Sequence, residues 1–294
     1  LRPVASELQA LLGRPVAFAE DCVGPTAQSA VDSLSDGAVV LLENVRYHAA
    51  EEANDPGFAA QLAELAEVYV NDAFGSAHRA HASTEGAARL IGQRGGPCAA
   101  GLLMQKELRF LGEELENPAS PFVVILGGAK VSDKIKVIDR LLDKADTILV
   151  GGAMTYTFSL AQAQQVGKSL VEPDRVDVAQ AALKKAEARG VKFLLPVDHV
   201  SATPVATGQL DKKGKPVIEW QTPHVIDGVN LPETEAGLDI GPKTTADYAT
   251  AIASAKTILW NGPMGLFEDK RFAEGTFAVA RAVARATQQN GAKS

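Results

Sequence analysis

Short runs of apolar, β-branched residues alternate along this chain with longer stretches whose apolar positions recur every three or four residues. The first pattern suits a buried strand and the second an amphipathic helix, so their alternation predicts βα units around parallel sheets. In the first third, Val4–Leu12 is predicted helical, Pro15–Phe18 extended and Thr26–Leu34 helical. Ala38–Leu42 is predicted as a buried strand, Pro56–Leu65 as a helix and Glu67–Val70 as a further strand. Between charged residues, Leu102, Leu103, Leu108, Leu111 and Leu115 predict a long helix over Leu102–Leu115, ended by Asn117, Pro118 and Pro121. The pattern then restarts, with strands predicted at Phe122–Leu126, Thr147–Val150, Lys192–Val197 and Thr257–Trp260. Val131, Ile135, Ile138, Leu142 and Ala145 mark the buried face of one separating helix. Thr203–Asn230, rich in Gly, Pro and Lys, reads as a loop or small hairpin. The expected organisation is one α/β domain over 1–100, a connecting helix or hinge over 101–118 and a second α/β domain over 119–294, with a ligand cleft between the domains.

Length supports two domains, because 294 residues exceed the usual size of a single hydrophobic core. With 46% apolar and 22% charged residues the composition is that of a globular chain. A net charge of -7 argues against a nucleic-acid binder, while leaving room for local basic sites that hold small anions. Two cysteines, Cys22 and Cys98, make neither a disulfide framework nor a metal site, which suits a reducing, cytoplasmic compartment. No apolar run approaches the roughly 20 residues that span a bilayer, and no leader opens the chain. It starts with Leu1 instead of methionine, which suggests a missing beginning.

The richest chemical segment is Gly127-Gly128-Ala129-Lys130-Val131-Ser132-Asp133-Lys134, directly after a predicted strand. Glycines there let backbone approach a ligand, and helix N-terminal amides favour phosphate. Lys130 and Lys134 are expected on one helix face about 5–6 Å apart, where an anion would relieve their repulsion. Asp133 would offset part of that charge or face a magnesium shell. The ordinary alternative is a turn with two solvated lysines. Gly151-Gly152 follows the next strand, and Asn261-Gly262-Pro263-Met264-Gly265 follows Thr257–Trp260. Three glycine turns at the carboxyl edge of one parallel sheet favour a nucleotide site. In the first section, Arg46 and the group His78, Arg79 and His81 follow predicted strands and form basic spots in an acidic chain. Arginine suits phosphate or carboxylate, although a surface arginine paired with a neighbouring carboxylate is the plainer reading of either alone.

Seven stretches, LLENVRYH, VYVNDAFGSAHRAHAS, FVVILGGAKVSDKI, ILVGGAMTYTF, LPVD, LDIGPKT and ILWNGPMGLFE, resemble phosphoglycerate kinase and occur in that family's order. The resemblance runs from near Ala17 to Arg285. It implies two Rossmann-like domains, 3-phosphoglycerate or 1,3-bisphosphoglycerate on the first, Mg-ATP or Mg-ADP on the second, and hinge-bending closure of a monomer. It implies that Arg46 and Arg79, with His78 beside them, grip the substrate phosphate. Lys130 would contact nucleotide phosphates, Lys134 would steady the transferring phosphoryl group, and Asp133 would lie near Mg2+. Ala129, Gly151, Gly152 and Gly241 would line the nucleotide, with Asn261, Gly262, Pro263, Met264 and Glu268 completing that wall and Glu268 on the ribose hydroxyls. The attacking group would be a carboxylate of pKa about 3.5–4, ionised at neutral pH, so no general base is required.

The family pattern also has parts without a counterpart here. Its opening strand and substrate loops would precede Leu1, its Gly-Gly-Asp-Ser/Thr loop would follow Ser294, and two central strands of the second sheet are unmatched. Both domains are therefore expected to be incomplete and the chain as written to show little or no turnover. A non-catalytic nucleotide-binding module is the competing reading. A dinucleotide-dependent dehydrogenase is disfavoured, since no G-x-G-x-x-G opens either section.

Overall fold

A computed structural model describes residues 1–210, 214 and 216–294, with the side chains of 113 and 114 left aside. The chain forms two compact units, Leu1–Asn117 and Pro118–Ser294.

In the first unit, β1 (Val16–Ala19) pairs in parallel with β2 (Val39–Leu42), and β3 (Tyr69–Asn71) pairs in parallel with β4 (Cys98–Ala100). Helices Arg2–Leu12, Gly24–Asp32 and Pro56–Glu64 each carry proline in the first turn, where its missing N–H costs nothing and its fixed φ suits the helix. Asp55 caps the third, its carboxylate accepting the Phe58 amide at 2.8 Å. Phe58, Ala59, Cys22, Val23 and Ala82 form the core beneath these helices. The strand expected to be buried, β2, is only half-buried along its length. Its sole described ladder is with β1, so one edge stays open. β4 escaped the sequence reading because Cys-Ala-Ala has none of the β-branched or aromatic residues that mark a strand. The long helix expected over Leu102–Leu115 is helical but interrupted, with a wider π-type turn at Arg109–Glu113 between Leu102–Leu108 and Glu114–Glu116.

The second unit has a central four-stranded sheet. In chain order its strands are β5 (Phe122–Leu126), β6 (Thr147–Val150), β7 (Lys192–Leu194), β8 (His199–Ala202), β9 (Pro204–Leu210), β10 (Pro216–Trp220), β11 (His224–Ile226), β12 (Ala236–Ile240) and β13 (Thr257–Asn261). The central sheet runs β13-β5-β6-β7, all parallel. Every residue of β5 and β6 is buried, which explains their unbroken apolar sequence. β7 stops at Leu194, short of the expected Val197, ahead of Pro196, which has no amide to give to the ladder. The expected hairpin is β9–β10; residues 211–213 and 215 at its tip lie outside the described residues. A three-stranded antiparallel sheet, β11-β8-β12, was not anticipated.

Of the predicted helix face, Val131, Ile138, Leu142 and Ala145 are buried and Ile135 is half-buried. The helix itself covers only Ile135–Leu141, so Val131, Leu142 and Ala145 reach the core from the segments that flank it. Helices Pro242–Ala253 and Glu274–Asn290 pack together, burying Tyr248 and Ile252 of the first and Val279 and Ala282 of the second against Ile125, Leu149 and Ile240. The buried Tyr248 hydroxyl donates to the Val150 carbonyl at 2.6 Å and the Leu194 carbonyl at 3.1 Å, tying that helix to the ends of β6 and β7. No helix among the described residues is long and apolar enough to cross a membrane.

Candidate active site

The turns that leave the carboxyl ends of β5, β6 and β13 interlock through their backbones. The Gly127 amide donates to the Asn261 carbonyl at 2.9 Å, Gly151 to Leu126 at 2.8 Å, Gly152 to Met264 at 2.7 Å and Met154 to Gly128 at 3.0 Å. Glycine is required at two of these contacts. A Cβ on Gly127 would strike the Pro263 carbonyl, and Gly152, at φ +69, would place one 2.6 Å from the Gly128 amide nitrogen and carbonyl oxygen. Close approach of the three turns is therefore written into the residue types.

Beside them lies a cavity of about 730 Å³. Of the residues singled out from sequence, Ala129, Gly152, Pro263, Met264 and Glu268 line it. Gly151 stands behind the wall, where a Cβ would meet the Met264 sulfur at 2.6 Å. Gly262, at φ +95, packs on Gly127. Gly241 precedes helix Pro242–Ala253 and leaves room for the Asp198 carboxylate, which accepts the Lys243 and Thr244 amides at 2.9 and 2.8 Å.

Sequence reasoning missed Tyr156, Lys168, Trp220, Leu238 and Asp239 on the cavity wall. Tyr156, Leu238 and Asp239 lie in matching segments without having been singled out and Trp220 in the predicted loop or hairpin, and no local spacing brings them together. Burial pushes the Asp239 carboxyl up to about 7, against the pull of the Gly275 and Ile240 amides at 2.7 and 2.9 Å. Burial pushes His199 down to about 4, and its Nδ1 lies 3.3 Å from the Tyr156 hydroxyl.

The lysine-bearing loop differs from expectation. The helix begins at Ile135, so Lys130 and Lys134 do not share a helix face. Residues 131–134 form a turn in which the Val131 carbonyl accepts the Lys134 and Ile135 amides at 2.9 and 2.8 Å. Glu172 ties that turn to a distant segment, its carboxylate accepting the Ser132 amide at 3.0 Å and hydroxyl at 2.5 Å. Burial pushes Glu172 up, but the bonds from Ser132 and Val131 and the Lys130 charge reverse this and leave it below the ordinary carboxylate range. Lys134 Nζ donates to the Asn261 side-chain oxygen, joining the loop to the carboxyl end of β13. Lys130 and Asp133 are exposed.

In the first unit, Arg46 pairs with Glu52, the plainer arrangement foreseen for it, and its amide donates to the Asn44 side chain at 3.0 Å. His78 and Arg79 are exposed, and Arg79 Nε lies 3.4 Å from His78 Nε2. His81 does not join them in a positive cluster: it is turned inward and buried, because its backbone opens the turn Ala82–Gly86. The fully buried Glu51 accepts the Ser83 amide at 2.9 Å and hydroxyl at 2.6 Å, linking the segment after Arg46 to the segment after Arg79.

A parallel sheet whose carboxyl edge carries interlocked glycine turns, a lysine-bearing loop and a large cavity defines an α/β protein of the open parallel-sheet class, in which ligands sit at that edge. The family model for phosphoglycerate kinase matches residues 1–294. The phosphoglycerate kinase of Koribacter versatilis is 54% identical over 291 residues, covering 97% of this chain and 68% of that protein. The phosphoglycerate kinase of Acidobacterium capsulatum is 54% identical over 294 residues, with 97% and 68% covered. Among solved structures, the Coxiella burnetii phosphoglycerate kinase superposes with a TM-score of 0.73 at 37% identity, covering 97% of this chain and 67% of its own. That from Pyrococcus horikoshii gives 0.76 at 32% identity, with 97% and 69% covered. The chain belongs to the phosphoglycerate kinase family. It is a phosphotransferase by membership, as the seven segments implied, and spans about 68% of the length of its curated relatives.

Proposed function

We propose that the cavity of the second unit takes Mg-ATP or Mg-ADP and that the basic spot of the first takes 3-phosphoglycerate or 1,3-bisphosphoglycerate. The observation that carries this is the convergence of three glycine turns and a lysine-bearing loop at the carboxyl edge of β5, β6 and β13. In this reading Lys130 meets the nucleotide phosphates and Lys134 follows the transferring phosphoryl group, keeping its tie to Asn261. Ala129, Gly152, Pro263 and Met264 form the wall, Gly151, Gly241 and Gly262 support it from behind, and Glu268 takes the ribose hydroxyls. Arg46 exchanges Glu52 for the substrate phosphate, with Arg79 and His78 alongside.

A substrate carboxylate oxygen attacks the γ-phosphorus as the bond to the ADP oxygen breaks, so no proton has to move. The protein contributes alignment and cationic compensation of the phosphoryl oxygens. Magnesium, when bound with the nucleotide, would neutralise charge on the β- and γ-phosphates. Asp133 fits this: it is exposed, and magnesium commonly takes only one or two protein carboxylates, with phosphates and water completing its shell. A cytoplasmic location and a monomeric state belong to the same reading, and fractionation and sedimentation check them.

Thermal unfolding with and without saturating Mg-ADP tests the nucleotide site. A ligand at about 100 times its dissociation constant that binds only folded protein adds roughly 2.7 kcal/mol. A raised midpoint that Lys130→Ala abolishes is expected; a cooperative transition that Mg-ADP leaves unmoved would sink the reading.

A further inference from the structure

Trp220, the last residue of β10, lines the cavity although its hairpin lies outside the central sheet. Its position is anchored. The Trp220 carbonyl accepts Arg271 Nη1 at 2.9 Å, and Arg271 is held by Asp269 through Nε to Oδ1 at 3.1 Å and Nη2 to Oδ2 at 2.6 Å. Arg271 also lies over the buried Phe272 ring at 5.3 Å. Asp269 immediately follows the cavity segment Leu266 to Glu268, which itself continues from the glycine turn after β13, so this latch fixes the hairpin against that stretch of the wall.

The cavity lining offers two chemically distinct kinds of surface. Gly128, Ala129 and Gly152 offer bare backbone beside the lysine-bearing loop, which suits phosphate. Leu238, Leu266 and Trp220 offer apolar and aromatic surface, which suits a flat ring. We propose that Trp220 determines the base subsite, its half-buried indole stacking on the base of a nucleoside diphosphate or triphosphate whose phosphates lie at the Gly128–Ala129 end. This rests on the nucleotide reading above and adds to it the residue that binds the base. Stacking is indifferent to base identity, because every base has a π-face, so ADP and GDP should both depend on it.

Calorimetric titration of the full chain, its W220A and W220F variants and R271A with Mg-ADP, Mg-GDP and Mg-pyrophosphate tests this. W220A should weaken both nucleotides by roughly tenfold or more, the scale of one base–aromatic stack. Pyrophosphate, which has no base, should bind wild type and W220A alike. W220F, which keeps a ring, should restore most of the loss, and R271A, which frees the hairpin, should fall between. Should W220A not fold, W220L keeps volume without a π-face and is expected to show the same selective loss. Nucleotide affinity within twofold of wild type in W220A or W220L overturns the proposal, as does an equal loss for pyrophosphate. Mg-pyrophosphate and Mg-ADP both failing to bind wild type would instead overturn the nucleotide reading and this inference with it.

Discussion

At the scale of single residues, Gly152 separates two effects that a glycine can have. Gly152 and Gly190 share a φ of +69, but a Cβ at Gly190 meets nothing within 4 Å whereas at Gly152 it meets Gly128 backbone at 2.6 Å. Gly190→Ala should therefore cost only the left-handed strain of about 1–2 kcal/mol. Gly152→Ala should cost about 1–3 kcal/mol beyond that from overpacking against backbone that cannot yield. Urea unfolding of the two variants measures the difference, and equal losses would contradict the interlocked turns. Asp239 makes a second prediction. Its carboxyl moves from an ordinary 3.8 to about 7 on folding because burial disfavours the charge. Between those values the unfolded chain has released this proton and the folded chain has kept it, so this group's contribution to stability falls as pH rises, by up to about 1.4 kcal/mol per pH unit. Asp239→Asn removes the titration. The stability of wild type relative to the variant should decline from about pH 4 to about pH 7 in denaturant titrations, and a flat difference would count against it.

At the scale of elements, the Lys130–Lys134 turn depends on a partner far away in sequence. Glu172 accepts both the amide and the hydroxyl of Ser132, and its own amide donates to Thr157 Oγ1 at 3.1 Å on the helix Met154–Ala161. Glu172→Ala should release residues 131–134 and cost about 1.5–3 kcal/mol for the lost charged hydrogen bonds. Glu172 itself does not line the cavity. A severalfold rise in the Mg-ADP dissociation constant, with the cavity wall intact, would identify it as a positioning residue. Unchanged binding together with lowered stability would leave it a structural tie only. The same element shows where periodicity misleads. Val131, Ile138, Leu142 and Ala145 are all buried, but only Ile138 of these lies within the helix Ile135–Leu141, and the backbone that presents Val131 is a turn.

At the scale of the whole molecule, both tryptophans, Trp220 and Trp260, belong to the unit Pro118–Ser294. Their emission reports that unit alone. Mg-ADP should raise the fluorescence-detected unfolding midpoint, while Arg79→Ala, in the unit Leu1–Asn117, should leave that increase untouched. Loss of the shift in Arg79→Ala would show that the nucleotide site depends on the first unit. Wild type and variant should also share the same midpoint in the absence of ligand, since Arg79 is exposed and surface changes of this kind usually stay within about 0.5 kcal/mol.

Much of this architecture is legible in the sequence. β5 and β6 stand out as unbroken apolar runs because both faces of those strands are buried, and the glycine turns after β5, β6 and β13 are legible because only glycine tolerates that approach. Seven ordered segments were enough to identify the family. What the sequence could not decide was anything resting on contacts between distant residues. Ser132 finds Glu172 across 40 positions and Lys134 finds Asn261 across 127, so whether the lysines stand on a helix or a turn is settled by tertiary bonds. His81 faces the core while its neighbours Arg79 and His78 face solvent, and Trp220 reaches the cavity through a latch 51 residues away. Periodicity registers which face of a local element is buried. Which distant groups then meet is decided by packing, and that decision made the cavity wall.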